Sequence, residues 1–171
     1  MTEDERYLRR ALELAAQAER SGDVPIGAIL VCHDFEIEAK NEKELRRDAT
    51  AHAEMLLLRE AAQRRGAWRL SDATLYVTKE PCIMCAGAML AARIKRLVYG
   101  AGDPKGGADG GAFDILRSPR TNHRLEVTDG VLAREATEQL QRFFRSRRHG
   151  SQEGEGALES QSDALERWSS G

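Results

Sequence analysis

The 171-residue sequence has no apolar run approaching the roughly 18 residues that a membrane-spanning helix needs. Its acidic start, Met1-Thr2-Glu3-Asp4-Glu5-Arg6, is not followed by the apolar stretch of a secretory signal. Both absences point to a cytoplasmic protein with no membrane partner. Cysteine is scarce and odd in number: three residues, two of them spaced as Cys82-x-x-Cys85. That count excludes a disulfide framework of the secreted kind and leaves metal or redox chemistry for the pair. Cys32, within Ala28-Ile29-Leu30-Val31-Cys32, reads as a small buried hydrophobe. What remains, 41% hydrophobic and 32% charged residues, suits a single globular domain with a real core.

The formal net charge of −2 conceals an uneven distribution. Residues 93–149 carry 12 basic against 7 acidic side chains, whereas residues 150–171 carry one arginine against five acids. A basic second half suits an anionic partner, although an arginine-rich solvated helix face accounts for it equally well. The folded domain is expected over 1–149. The Gly-, Ser- and Glu-rich stretch 150–171 has too little apolar content to fold alone and is expected to be a disordered acidic tail.

Along the domain, Thr2 and Glu5 can form a capping box before an apolar stripe of Leu8, Ala11, Leu12, Ala15 and Ala18, which predicts a helix ending near Ser21-Gly22. Strands are predicted at 27–31 and 35–39, with a turn at His33-Asp34 between them and a loop over 41–48. A helix over 51–64 would turn Met55, Leu56, Leu58 and Ala62 inward. A β-branched and aromatic strand over 73–78 precedes Pro81, which can start a helix running to about Arg93. A strand at 96–100, a Gly-rich loop over 103–111, a short helix at 113–116, a strand at 125–127 and an amphipathic helix over 131–148 complete the pattern. Alternating strands and helices predict an α/β layered domain with a partly parallel sheet.

Two segments carry chemistry: Thr50-Ala51-His52-Ala53-Glu54 and Glu80-Pro81-Cys82-Ile83-Met84-Cys85. His52, Cys82 and Cys85 offer three nitrogen and sulfur ligands, which suits tetrahedral zinc with its fourth position open to water. A closed structural site would need a fourth ligand, and neither His33, His123 nor His149 has an obvious claim to it. Cys82 and Cys85 lie at a predicted helix start, where the dipole favours thiolates. Glu54 supplies the carboxylate that could move protons beside a zinc-bound hydroxide. On a regular helix, His52 and Glu54 would point about 200° apart, so they can share a site only at an irregular first turn.

This His-x-Glu and Pro-Cys-x-x-Cys pair resembles the signature of zinc deaminases acting on nucleobases. Over residues 7–148 the chain further resembles the tRNA-specific adenosine deaminases, which convert a wobble adenosine to inosine. The likeness is carried by Val24-Pro25-Ile26-Gly27-Ala28, Asn41, the two catalytic segments, Ala73 to Thr78, Ala86-Gly87-Ala88-Met89, Asp103, Lys105, Gly107-Ala108, Asn122-His123-Arg124 and Phe143-Phe144-Arg145. The resemblance implies a cytidine-deaminase-like three-layer α/β/α fold with a mixed sheet of about five strands, one zinc per chain and a homodimer. It implies an anticodon stem-loop as partner, with an arginine tRNA as the expected substrate. Asn41 and the Ala53 backbone would then hold the flipped nucleotide, Pro25 and Ile26 would wall its pocket, and Asp103 would contact a neighbouring sugar. Lys105, Phe143 and Arg145 would face the RNA, with Phe144 left to the core. Asn41 and Asp103 also suit ordinary turns. The chain departs from the family in having Ala49 where proline usually precedes the Thr-Ala-His-Ala-Glu segment, and Gly111 where serine is common. The competing functions are a deaminase of a free base or nucleotide, which would not need the basic last helix, and a non-catalytic zinc module binding RNA, which would not need Glu54.

Overall fold

A computed structural model describes residues 1–151; the acidic tail expected over 150–171 lies almost wholly outside them. Helix α1 (Glu3–Arg20) leads to strands β1 (Gly27–Val31) and β2 (Glu36–Lys40), a single-turn helix α2 (Lys43–Arg46) and helix α3 (Ala53–Arg65). Strand β3 (Thr74–Lys79), helix α4 (Ile83–Ala92), strands β4 (Arg96–Ala101) and β5 (Glu126–Thr128), and helix α5 (Ala133–Ser151) follow. The five strands form one mixed sheet in the order β2-β1-β3-β4-β5. β1 runs antiparallel to both β2 and β3, while β3, β4 and β5 are mutually parallel. The α/β layered domain with a partly parallel sheet is therefore present as expected.

Alternation along the strands sorts the core into two layers. Ile29, Tyr76 and Val98 pack with Tyr7, Leu8 and Leu14 of α1, and the Tyr7 and Tyr76 rings stack with centroids 4.5 Å apart. Leu30, Leu75, Val77, Leu97 and Tyr99 share the other cluster with Leu57, Leu58 and Ala61 of α3 and Met89 and Leu90 of α4. The Gln139 side chain of α5 donates to the Leu12 carbonyl, tying α5 to α1. The two site-bearing segments thus belong to α3 and α4, which share one hydrophobic cluster.

Four local readings change. In α1 the buried stripe includes Tyr7 and Leu14 rather than Leu12. In α3 the buried residues are Ala53, Glu54, Leu57, Leu58 and Ala61, leaving Met55, Leu56 and Ala62 half-buried. The loop over 41–48 contains α2, whose first amides donate to the buried Asp23 carboxylate (Glu44 N–H at 2.9 Å, Leu45 N–H at 3.3 Å). No helix forms at 113–116, because the Ala108 carbonyl draws in the Ile115 and Leu116 amides and residues 109 and 114 pair as an isolated antiparallel bridge. The loop closes on itself there, which leaves Phe113 exposed.

Candidate active site

His52 and Cys82 occupy equivalent positions, each the N-cap of its helix. His52 precedes α3 with φ −72° and ψ 148°, and Cys82 precedes α4 with φ −73° and ψ 174°. N-caps are usually Ser, Thr, Asp or Asn, whose side chains satisfy the first helical amides. Here neither side chain makes a capping hydrogen bond to its helix. Both turn toward each other instead. The His52 backbone is extended, so the angular objection to pairing it with Glu54 does not apply. His52, Glu54 and Cys82 line one pocket together with Ile26, Lys79, Glu80 and Asp103.

The ligand atoms of His52, Cys82 and Cys85 all lie within 4.8 Å of one another. Nδ1 of His52 is 3.6 Å from Sγ of Cys82 and 3.5 Å from Sγ of Cys85. Tetrahedral zinc, bonded to sulfur at about 2.3 Å and nitrogen at about 2.05 Å, implies a nitrogen–sulfur edge of about 3.6 Å. The spacing of the three atoms therefore fits zinc directly. His123, a possible fourth ligand by residue type, is engaged elsewhere, with Nε2 2.8 Å from the Ile94 carbonyl oxygen. Three protein ligands leave one position for water, the catalytic arrangement.

The electrostatics agree with metal binding and proton transfer. The hydrogen bond with the Cys85 thiol, reinforced by His52, draws the Cys82 thiol down to about 4, while the same bond and deep burial push Cys85 upward. Glu54 is only 4% exposed. Burial raises its carboxyl above the usual range, against the opposing pull of His52, and the Cys85 thiol is its hydrogen-bond partner. An elevated carboxylate against an open metal position suits a group that both accepts and returns a proton.

The remaining expected residues divide. Ile26 and Asp103 line the pocket, and Pro25 is buried beside Ile26. Asn41 is 1% exposed; its Oδ1 accepts the Ala53 N–H at 3.2 Å, so that amide is occupied within the protein. Lys105 is exposed, and its N–H donates to Asp103 Oδ1 at 3.1 Å. Arg145 is exposed on α5. Phe143 is 1% exposed, packed edge-on against Phe144 and covered by the Arg147 guanidinium. Phe144 packs half-buried against the core as expected, but Phe143 is in the core too and does not face outward, because the buried face of α5 runs through Ala136, Gln139 and Phe143. Arg147 also donates to the Gly22 carbonyl, docking the end of α5 close in sequence to Pro25 and Ile26.

Sequence reasoning gave no role to Lys79 or Glu80. Glu80, 5% exposed, accepts the Asp103 N–H on Oε1 and the Asp109 and Gly111 N–H groups on Oε2, at 2.9–3.1 Å. The loop wraps so closely that a Cβ on Gly107 would lie 2.1 Å from Glu80, and one on Gly111 would lie 2.0 Å from the Asp103 carbonyl. That approach leaves no room for a side chain at Gly111 without a shift of the Asp103 carbonyl. The Ala49 departure is also absorbed. Asp48 Oδ1 accepts both the N–H and the hydroxyl of Thr50 at 2.8 Å, closing the turn that proline would otherwise stiffen.

A mixed α/β sheet presenting a His/Cys/Cys triad and a buried glutamate at two helix starts defines a zinc-dependent nucleobase deaminase. Comparison with known proteins narrows this. A model of the MafB19-like deaminase family matches residues 2–148. The tRNA-specific adenosine deaminase of Bacillus subtilis (strain 168) is 48% identical over 149 residues, spanning 86% of this chain and 92% of that protein. The enzyme of the same name from Haemophilus influenzae (strain ATCC 51907 / DSM 11121 / KW20 / Rd) is 48% identical over 94% of each chain. A solved structure of a tRNA A34 deaminase superposes with a TM-score of 0.74 at 42% identity, covering 79% of this chain and 99% of that one. A guanine deaminase from Bacillus subtilis is more distant, with 31% identity and a TM-score of 0.57 over 83% of this chain and 94% of that one. The chain belongs to the tRNA-specific adenosine deaminases.

Proposed function

We propose that the protein converts the wobble adenosine of tRNA to inosine by hydrolytic deamination. The observation that carries this reading is the buried Glu54 carboxyl beside His52, Cys82 and Cys85 set at zinc spacing. Zinc, when bound by these three residues, acidifies water and so supplies the nucleophile. Glu54 would take one proton from the attacking water and deliver it to the ring nitrogen of adenine, then carry the remaining hydroxyl proton of that water to the departing amine. The water oxygen ends on the ring carbon and ammonia leaves.

Binding rests on the surrounding residues. Asn41 Nδ2 is buried without a hydrogen-bond partner among the described residues, a donor suited to an acceptor on the extruded nucleotide. Ile26 and Pro25 wall the base site, with the Ala53 amide fixed behind it by Asn41. Asp103 would present a carboxylate to a sugar hydroxyl, and the exposed Lys105 and Arg145 would meet phosphates of an anticodon stem-loop. A homodimer is part of this reading. Met55 and Leu56 of α3 and Ile83 and Met84 of α4 leave apolar surface partly open on neighbouring helices, and a second copy would cover it. Sedimentation should then report a dimer. No helix among the described residues is long and apolar enough to cross a membrane, and the reading places the enzyme with its tRNA in the cytoplasm.

The decisive experiment incubates zinc-loaded protein with an adenosine-wobble arginine tRNA and, in parallel, with free guanine, cytosine, adenosine and cytidine. Inosine should accumulate at the wobble position. Ammonia from a free base with no inosine in tRNA would move the protein to the free-base deaminases.

A further inference from the structure

We propose that Lys79 is a positioning residue for the substrate, acting through Asp103. Lys79 is the last residue of β3, opposite Ala101 of β4. Its Nζ is 2.8 Å from Asp103 Oδ2, with the two side chains 12% and 8% exposed. The other carboxylate oxygen is held by the loop itself, since Oδ1 accepts the Lys105 and Gly106 amides at 3.1 Å each. Lys79 therefore fixes the one oxygen of Asp103 that the loop backbone leaves to a side chain. Glu80, the next residue, grips the amides of 103, 109 and 111. Consecutive residues at the end of β3 thus set both the course of the loop and the direction of its carboxylate.

Charge gives the pair a second consequence. Glu54, Glu80 and Asp103 line the pocket, and among the described residues Lys79 is the one lysine or arginine that lines it with them. A phosphodiester approaching an unpaired Asp103 carboxylate would be repelled by it. Pairing Asp103 with Lys79 keeps that carboxylate an oriented acceptor while cancelling its charge. A pair this far out of water also differs from an exposed ion pair, because removing one partner leaves the other uncompensated.

The inference rests on the reading of Asp103 as a substrate contact. The test uses the zinc-loaded enzyme and an anticodon stem-loop RNA with adenosine at the wobble position. It compares Lys79→Met, Lys79→Arg, Asp103→Asn and the Met/Asn double variant, with melting temperature and zinc content measured alongside. Lys79→Met should raise KM about tenfold, equivalent to roughly 1.4 kcal/mol, with kcat within about twofold. Lys79→Arg should recover most of that loss, and the double variant should be no worse than Asp103→Asn alone. If Lys79→Met does not fold, Lys79→Gln serves in its place. Losses from Lys79 and Asp103 that multiply, or a Lys79→Met KM unchanged while that of Asp103→Asn rises, would overturn the proposal. A KM unchanged in Asp103→Asn would instead remove the reading of Asp103 on which it rests.

Discussion

The first turn of α1 and the first turns of α3 and α4 solve the same physical problem in opposite ways. Every helix start leaves amides without intrahelical partners. In α1, Thr2 accepts the Glu5 N–H at 3.1 Å and Glu5 accepts the Thr2 N–H at 3.2 Å, so the end is closed by its own side chains. In α3 and α4 the cap positions are His52 and Cys82, and neither side chain caps its helix. The first end is built for stability alone. The other two forgo a cap so that their side chains can converge on a metal. Local stability and chemistry compete for the same atoms, and the outcome differs at the two ends of one small domain.

That contrast can be broken by substitution, beginning where the effect is largest. Glu54→Ala should lower turnover by about 10²–10⁴-fold, the usual worth of a general acid–base group, with fold and zinc content retained. Inosine formation at the parental rate in that variant would sink the mechanism. Removing zinc with a chelator should abolish activity and lower the melting temperature, since a ligand at about 1,000 times its Kd stabilises by roughly 4 kcal/mol. Cys82→Ala should remove the metal and with it that stabilisation, whereas a chelator-insensitive melting curve would show that α3 and α4 do not depend on the ion.

The opposite end of α3 gives a smaller, pH-dependent effect. Arg65 grips Asp72 with two guanidinium nitrogens, and the His33 amide adds a third donor at 3.0 Å. The Arg65 hydrogen bonds hold the Asp72 carboxyl well below the usual carboxylate range. A depressed folded-state value contributes stability above about pH 4, where the unfolded carboxylate is also ionised, and loses it as pH falls through the lower folded value. Asp72→Asn should cost about 1–2 kcal/mol at neutral pH and flatten the acid limb of the stability curve below about pH 4. An acid limb identical to the parent's would mean that Asp72 does not govern it. The smallest change comes from the closed end: Thr2→Ala should cost about 1 kcal/mol, or roughly 2–4 °C, with deamination unaffected. A loss of activity there would erase the distinction between the two kinds of helix start.

The same contrast explains which parts of the molecule were legible in the sequence. The capping box of α1 lies within four residues and was readable, as were five strands with a parallel component and the metal ligands, two of which sit three residues apart at a single helix start. The inward face of α3 was not. Its apolar residues suggest Met55, Leu56 and Ala62 inside, but burying Glu54 for chemistry rotates the helix so that Leu57 and Ala61 point inward instead. A buried carboxylate is invisible to a reading based on hydrophobic period. Asp23 capping α2 and Glu80 organising residues 103–111 escaped for another reason. Each joins segments about 20 residues or more apart, and no local pattern announces such a partner. The Glu54 position itself was legible as chemistry while its geometry was not, because that depends on His52 lying just outside the helix.

The packing around Glu80 also bears on how this enzyme can change. Gly107 and Gly111 both press toward the Glu80 carboxylate, so a side chain added at either requires that carboxylate or the Asp103 carbonyl to shift. Pro104, Lys105 and Gly110, by contrast, face outward on the same loop. The segment behaves as a frozen frame with three variable tips. Selection or engineering for a different nucleotide context would find its accessible mutations at those tips, while the frame would have to be replaced as a unit.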